Sequence, residues 1–232
     1  PYLHTPEAIA QELDKTEVMR NILQTSAQTD TITKIKVKLM QVKDIRGTAN
    51  RVTESQVLDD IELFELKVFS LLVVEMRELL LSANITVVSL PDLEPVVDIL
   101  DPEKMRIPHF YVYDVYSPEL AALRAKMKTL KMDGKTEERV LDQLLFEHTE
   151  LEDRIREKLS EQIHPYKKEI NEALTNTATL DILLAKAQQT IDMQLCKPEI
   201  STGTTHYTKI FNPQVKEVLW QEGKKFQAID ID

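Results

Sequence analysis

Leu141, Leu144, His148, Leu151, Ile155, Leu159 and Ile163 recur every three or four residues, while Glu147, Glu150, Asp153, Arg154, Glu157 and Lys158 fill the opposite face. That spacing draws one apolar stripe along a helix of several turns and leaves charge on its other side. Past Pro165 the stripe resumes with Tyr166, Ile170, Leu174, Leu180, Leu184, Ala187 and Ile191. A continuous helix over 136–193 would rise through roughly 85 Å. Pro165 lacks the N–H that the helical ladder needs and crowds the carbonyl of Glu161, so a kink or brief break is expected there. A helix with one long apolar side must bury it against a partner, which commits the chain to a helical architecture.

Composition points the same way. Four glycines and ten prolines in 232 residues supply few tight turns, which disfavours an all-β fold. With 42% hydrophobic and 29% charged residues the chain has a globular composition. The longest apolar run, 68–74, is interrupted by Ser70 and is far short of the roughly 20 residues a membrane span requires. One cysteine, Cys196, excludes an internal disulfide framework, fits a reducing cytoplasmic compartment, and is read as an ordinary thiol. No signal peptide opens the sequence. Pro1 where an initiator Met would stand, and the abrupt end at Asp232, lead to the expectation of a segment of a longer protein. A net charge of −10 opposes use of the whole surface against phosphate.

Thr5-Pro6-Glu7 supplies an N-cap, a proline at the first helical position and an acid in the first turn. Ile32, Ile35, Leu39 and Val42 keep helical spacing to about residue 45, although 34–39 also alternates as a strand would; helix is chosen on length. Thr53-Glu-Ser-Gln56 has the form of a capping box, predicting a central helix over 54–82 that is apolar on most of its circumference. Asp59, Asp60, Glu62 and Glu65, with no His or Cys nearby, are read as its solvated face rather than as metal ligands. Prolines 91, 95, 102, 108 and 118 then punctuate short helical pieces around 91–100 and 102–105. Phe110-Tyr-Val-Tyr-Asp-Val-Tyr116 is rich in strand formers and predicts a short strand covering one end of the helices; base stacking by its tyrosines is the rival reading. Ser117-Pro118-Glu119 starts the next helix, and Asp133-Gly134 is the place for it to turn back. After Met193 comes a linker, then a strand at 206–211, a short helix capped by Asn212-Pro213 and closed by Gly223, and a second strand at 226–231.

Several of these words, in this order, resemble the MutS family of DNA mismatch-repair ATPases. They are Leu58-Asp-Asp-Ile-Glu-Leu-Phe-Glu-Leu-Lys67, the Asp114-x-x-Ser117-x-x-Leu120-x-x-x-Arg124 pattern, Ala173-Leu-Thr-Asn-Thr-Ala-Thr-Leu-Asp181 running on to Ala187, Cys196-Lys-Pro-Glu-Ile200 and Phe211-Asn-Pro-Gln-Val215. The resemblance covers about 54–232 and implies the region where core and lever helices run into the ATPase domain. Asn212 stands where the family's Arg-His-Pro motif has its His. Only a few residues join the two lever arms, so the family's DNA-gripping clamp is absent, as is its mismatch-recognition domain, and mismatch reading itself is not expected. By resemblance the parent protein would be a homodimeric ATPase using ATP and Mg, with DNA as a partner.

The expected fold is therefore mainly α: an elongated helical core with long antiparallel lever helices, a small β element near 110–116 and short strands at the C-terminus. Residues 1–117 form the core, 118–195 the levers with their turn near 132–135, and 196–232 a linker with the edge of an ATPase domain. No Gly-x-x-x-x-Gly-Lys-Ser/Thr loop occurs, so these residues hold no cofactor and catalyse no ATP hydrolysis by that chemistry. Glu161-Gln-Ile-His164 has the spacing of di-iron bundle ligands, but only one copy exists where two are needed, so no metal site is expected. His148 is read as a hydrogen-bonded or half-exposed core histidine. Arg124, Lys126, Lys128, Lys131 and Lys135 form a basic run near the turn, a candidate for weak, salt-dependent DNA contact or simply a solvated turn. Leu144, Leu151, Ile155, Leu159, Ile163, Ile170 and Leu174 are the expected packing stripe of the lever. The alternative functions are a helical protein–protein adaptor with no DNA role and a metal-bearing bundle.

Overall fold

A computed structural model describes residues 5–133, 138–200 and 203–231, Asp133 and Glu138 as backbone only. In chain order its main elements are α1 (Pro6–Gln24), α2 (Thr29–Leu39), α3 (Arg46–Thr53), α4 (Asp60–Ser82), α5 (Glu94–Leu100), α6 (Pro118–Asp133), α7 (Glu138–Ile163), α8 (Lys167–Asp192), β1 (Tyr207–Ile210), α9 (Pro213–Gln221) and β2 (Ile229–Ile231). The chain is mainly α with one small antiparallel sheet. None of its described helices is long and apolar enough to cross a membrane. Two compact units are present: one runs from Gln28 to Asp181, and the other joins the described residues up to Ala27 with those from Ile182 onward.

In the larger unit α4 is the central element, as its apolar circumference requires. Leu63, Leu66, Phe69, Leu72, Val73, Met76 and Leu80 are all buried. Ile32 and Ile35 of α2, Val52 of α3, and Val96, Val97 and Leu100 of α5 are buried as well, and all three helices pack on α4. Each such side chain contributes about 1.5–3 kcal/mol on leaving water.

The box that starts α4 is not the expected one. Thr53 ends α3 and its hydroxyl donates to the Ala49 carbonyl at 2.9 Å. Ser55, at φ 58°, then turns left-handed, so that its own N–H reaches Val52 O and that of Gln56 reaches Arg51 O. The true cap is Asp59, extended at φ −84° and ψ 177°, whose carboxylate accepts from Glu62 N at 2.9 Å while Glu62 accepts from Asp59 N at 3.0 Å. A capping box needs an extended cap residue, and Thr53 is helical.

Two further expectations are corrected between α5 and α6. Residues 102–105 form a turn closed by Lys104 N to Asp101 O, with Lys104 and Arg106 both at positive φ, and not a helical piece. The segment 110–116 is no strand. A strand needs a ladder of backbone partners, and among the described residues no strand lies beside this segment; side chains bind its backbone instead, Arg124 donating to Val112 O at 2.7 Å and Lys67 to the preceding His109 O at 2.8 Å. Asp114–Tyr116 then coils into a 3-10 turn. Phe110, Val112 and Tyr113 are nonetheless buried, so the strand formers serve the core without a sheet.

Ser117 accepts from Leu120 N at 3.3 Å to begin α6. Against α6 packs α7, running the opposite way, with Leu123 and Met127 buried on Leu144 and with Leu130 and Leu151 beside them. The connection expected near 132–135 falls, from Gly134, outside the described residues. After α7 a 3-10 turn at His164–Tyr166 carries the chain into α8, the interruption that Pro165 demands.

In the smaller unit Thr5 caps α1 by accepting from Ala8 N at 3.2 Å. Met19 is fully buried, and Lys186 reaches Glu12 at 2.6 Å. Asn212 caps α9 by accepting from Gln214 N at 3.0 Å and Val215 N at 3.2 Å, and Gly223, at φ 70°, closes it. Around that helix β1 and β2 pair antiparallel, Tyr207 opposite Ile231 and Ile210 opposite Ile229.

Candidate functional site

The residues singled out as functional gather on the α6 and α7 pair. Arg124 is its organising side chain. Its guanidinium donates to Val112 O at 2.7 Å, to Asp114 Oδ1 at 2.5 Å and to Glu152 Oε1 at 2.7 Å, and its Nε donates to His148 Nε2 at 3.1 Å. Burial opposes the charge, but the hydrogen bonds to Asp114 and Glu152 outweigh it and raise the arginine's pKa. One planar fork thus ties the 110–116 segment, α6 and α7 together. A guanidinium so engaged is no free phosphate ligand.

The rest of the basic run divides by helical geometry. Lys128 and Lys131 follow Arg124 by four and seven residues and share its face. With Met127, Met132 and His148 these three line a groove of about 420 Å³ between α6 and α7. Lys126 is exposed but lies two residues from Arg124, about 200° around the helix, and does not line it. Lys135 lies outside the described residues. His148 is half-buried between Arg124 and Glu152, with its Nε2 also 3.4 Å from Glu152 Oε1.

The stripe is buried at Leu144, Ile155, Leu159, Ile163 and Ile170, half-buried at Leu151 and only half-buried at Leu174. Beyond the 3-10 turn the buried positions are Ile170, Ala173, Thr177, Leu180, Leu183, Leu184 and Ala187; Ile163, Ile170, Thr177 and Leu184 stand seven residues apart, so the face keeps its phase through the turn and passes beside Leu174. Leu174 instead lines a cavity of about 610 Å³ with Leu39, Val42 and Phe69.

Several polar groups elsewhere that could be read as functional have structural partners. His164 stands at the turn before Pro165 with Nδ1 2.9 Å from Val52 O, which identifies that nitrogen as the N–H donor, and Ser55 Oγ lies 3.1 Å from its Nε2. Asp60 pairs with Arg156 at 3.1 Å, and Glu65 accepts from Thr48 at 2.9 Å. No cluster of His, Cys, Asp and Glu able to hold a metal ion exists among the described residues, and Cys196 is exposed. Tyr113 is 1% exposed and lies against the rings of Phe110, Tyr111 and Tyr116, so its face is not open to a base.

Sequence reasoning missed Lys67. Its side chain is wholly buried, with Nζ 2.9 Å from Asp101 Oδ1, 2.8 Å from His109 O and 3.0 Å from Tyr113 Oη. The available signal was a lone cation inside a helix that is apolar nearly all round, since such a charge must find a buried partner. A scan against models of known protein families finds no match, and no curated protein matches the sequence.

Proposed function

We propose that the chain is the core and lever part of a MutS-like DNA repair or recombination ATPase, coupling a nucleotide site elsewhere in the parent protein to a DNA-facing end. The observation that carries this reading concerns the Asp114-x-x-Ser117-x-x-Leu120-x-x-x-Arg124 word. Its two ends meet in an ion pair at 2.5 Å, its serine caps α6, its leucine is fully buried, and its arginine reaches across to Glu152 of α7. Each spaced residue therefore has a job at the root of a helix pair. Displacement passes along such a pair only if each helix resists the bending of the other, and the packing of Leu123 and Met127 on Leu144 supplies that resistance.

In this role the chain delivers position rather than reaction chemistry. ATP and Mg would be bound by another part of a cytoplasmic, homodimeric parent, and DNA contact would be weak and salt-dependent through Lys128, Lys131 and Lys135. The deciding experiment is to read the parent gene past the codon for Asp232. A phosphate-binding Gly-x-x-x-x-Gly-Lys-Ser/Thr loop within a few tens of codons is expected, and a stop codon there defeats the proposal. For the DNA-facing end, alanine at Lys128, Lys131 and Lys135 together should weaken DNA binding by the full-length protein at low salt. Unchanged affinity removes that part of the reading.

A further inference from the structure

From the groove between α6 and α7 we infer that this arm docks an acidic amphipathic helix of a partner protein, which completes a three-helix bundle. The inference is independent of any link to an ATPase. The floor is apolar and contains sulfur: Met127 is buried, while Met132 is 80% exposed. Unbranched, polarisable methionines adapt to different apolar side chains, which suits a docking surface. One helical turn before His148, Leu145 stands 46% exposed and extends the apolar strip along α7.

Charge selects the occupant. The lining residues are Arg124, Met127, Lys128, Lys131, Met132 and His148, with no acid among them, on a chain whose net charge is −10. Arg124 is already neutralised by Asp114 and Glu152. Lys128 and Lys131, both exposed, form no ion pair with a described residue and flank the apolar floor. From Arg124 to Met132 the groove follows α6 for about 12 Å, or roughly two turns, enough to seat apolar side chains at i, i+3 or i+4, and i+7 of an incoming helix. Acids beside those anchors would meet the two lysines. Duplex DNA, proposed above as a weak ligand of the same two lysines, would leave Met132 and Leu145 without apolar contact, so the two occupants compete for the groove and the test below separates them.

The test is fluorescence anisotropy on the whole protein with a labelled synthetic helix bearing Leu at i, i+3, i+4 and i+7 and Glu elsewhere. A second peptide carries Lys in place of Glu, and a labelled DNA duplex is the third probe. The Glu peptide should bind, and Lys128→Glu with Lys131→Glu should weaken it by about tenfold or more while letting the Lys peptide bind better than it binds the native protein. Met132→Asp should also weaken the Glu peptide. Circular dichroism establishes that the variants are folded, and the charge-swapped pairing supplies a gain that misfolding cannot mimic. The inference is overturned if the Glu peptide binds more weakly than about 1 mM, or if its affinity ignores these substitutions. It also falls if only the duplex binds and the lysine changes abolish that binding, which would make the groove a phosphate contact.

Discussion

Lys67 Nζ stands 2.9 Å from Asp101 Oδ1, with both side chains at most 1% exposed. This pair fastens the irregular segment after α5 to the central helix, because Lys67 also holds His109 O and Tyr113 Oη while Asp101 Oδ2 accepts from Arg106 N at 2.7 Å. All three ammonium protons have acceptors, so the cost of burying the charge is offset by hydrogen bonds rather than by water. Lys67→Met should destabilise the protein by about 3–5 kcal/mol, since it leaves Asp101 buried and unpaired. Combining it with Asp101→Leu should recover part of that loss. Urea unfolding of the two variants beside the native protein measures both, and equal losses in the single and double variants would rule out this account of the pair.

The same pair sets an acid limit. Burial pushes the Asp101 carboxyl up, but the Lys67 ammonium and the N–H groups of Arg106 and Met105 together outweigh it and hold the pKa below 3.8. A carboxylate whose folded pKa is depressed binds fewer protons folded than unfolded, so its contribution is complete above the unfolded value of about 3.9 and is lost as pH falls through the folded value. Urea midpoints taken from pH 7 down to about pH 2 should therefore fall more steeply for the native protein than for the Lys67→Met, Asp101→Leu double variant. Asp44 offers a direct check by carboxyl NMR: Arg46 beside it lowers its pKa to about 2, and Arg46→Gln should return it toward 3.8.

Signals confined to a few neighbouring residues were legible. Thr5-Pro6, Ser117-Pro118, Pro165 and Asn212-Pro213 each act through their own turn, and each produces the cap or break its chemistry dictates. What depends on distant residues was not. Thr53 and Asp59 both begin a capping pattern, and only the left-handed turn at Ser55 ends one helix early enough for Asp59 to cap the next. The strand propensity of 110–116 is genuine, but no described strand lies beside it, and Lys67 and Arg124, 42 residues before His109 and 12 after Val112, bind the carbonyls of His109 and Val112 instead. The groove was half legible: the spacing of Arg124, Lys128 and Lys131 put them on one face, but nothing local showed that Asp114 and Glu152 would occupy the arginine.

The buried stripe that continues past Pro165 makes a graded prediction. Ile163, Ile170, Thr177 and Leu184 are buried at seven-residue intervals, and between them the face falls on Ala173 rather than on Leu174. Ile163→Ala and Ile170→Ala, both at fully buried positions, should each cost about 2–5 kcal/mol. Leu174→Ala, beside the 610 Å³ cavity, should cost about 1 kcal/mol or less. Chemical denaturation of the three variants ranks them, and a Leu174 loss as large as that at Ile170 would put Leu174 back on the buried face.

Arg124 should resist even its most conservative replacement. Lysine keeps the charge but presents a single ammonium, which cannot span Val112 O, Asp114, Glu152 and His148 as the planar guanidinium does. Arg124→Lys should lose about 1–2 kcal/mol, a range reduced for the partial exposure of Arg124 and the greater exposure of Asp114. The loss should be local as well as global. Amide hydrogen exchange should quicken at Tyr116 and Ser117, whose N–H groups bond Tyr113 O and Asp114 O, while the amides inside α4 keep their protection. Uniform quickening across the larger unit would mean that Arg124 supports the whole core; confinement to 112–117 and the start of α6 would mark it as the fastening at the base of the arm.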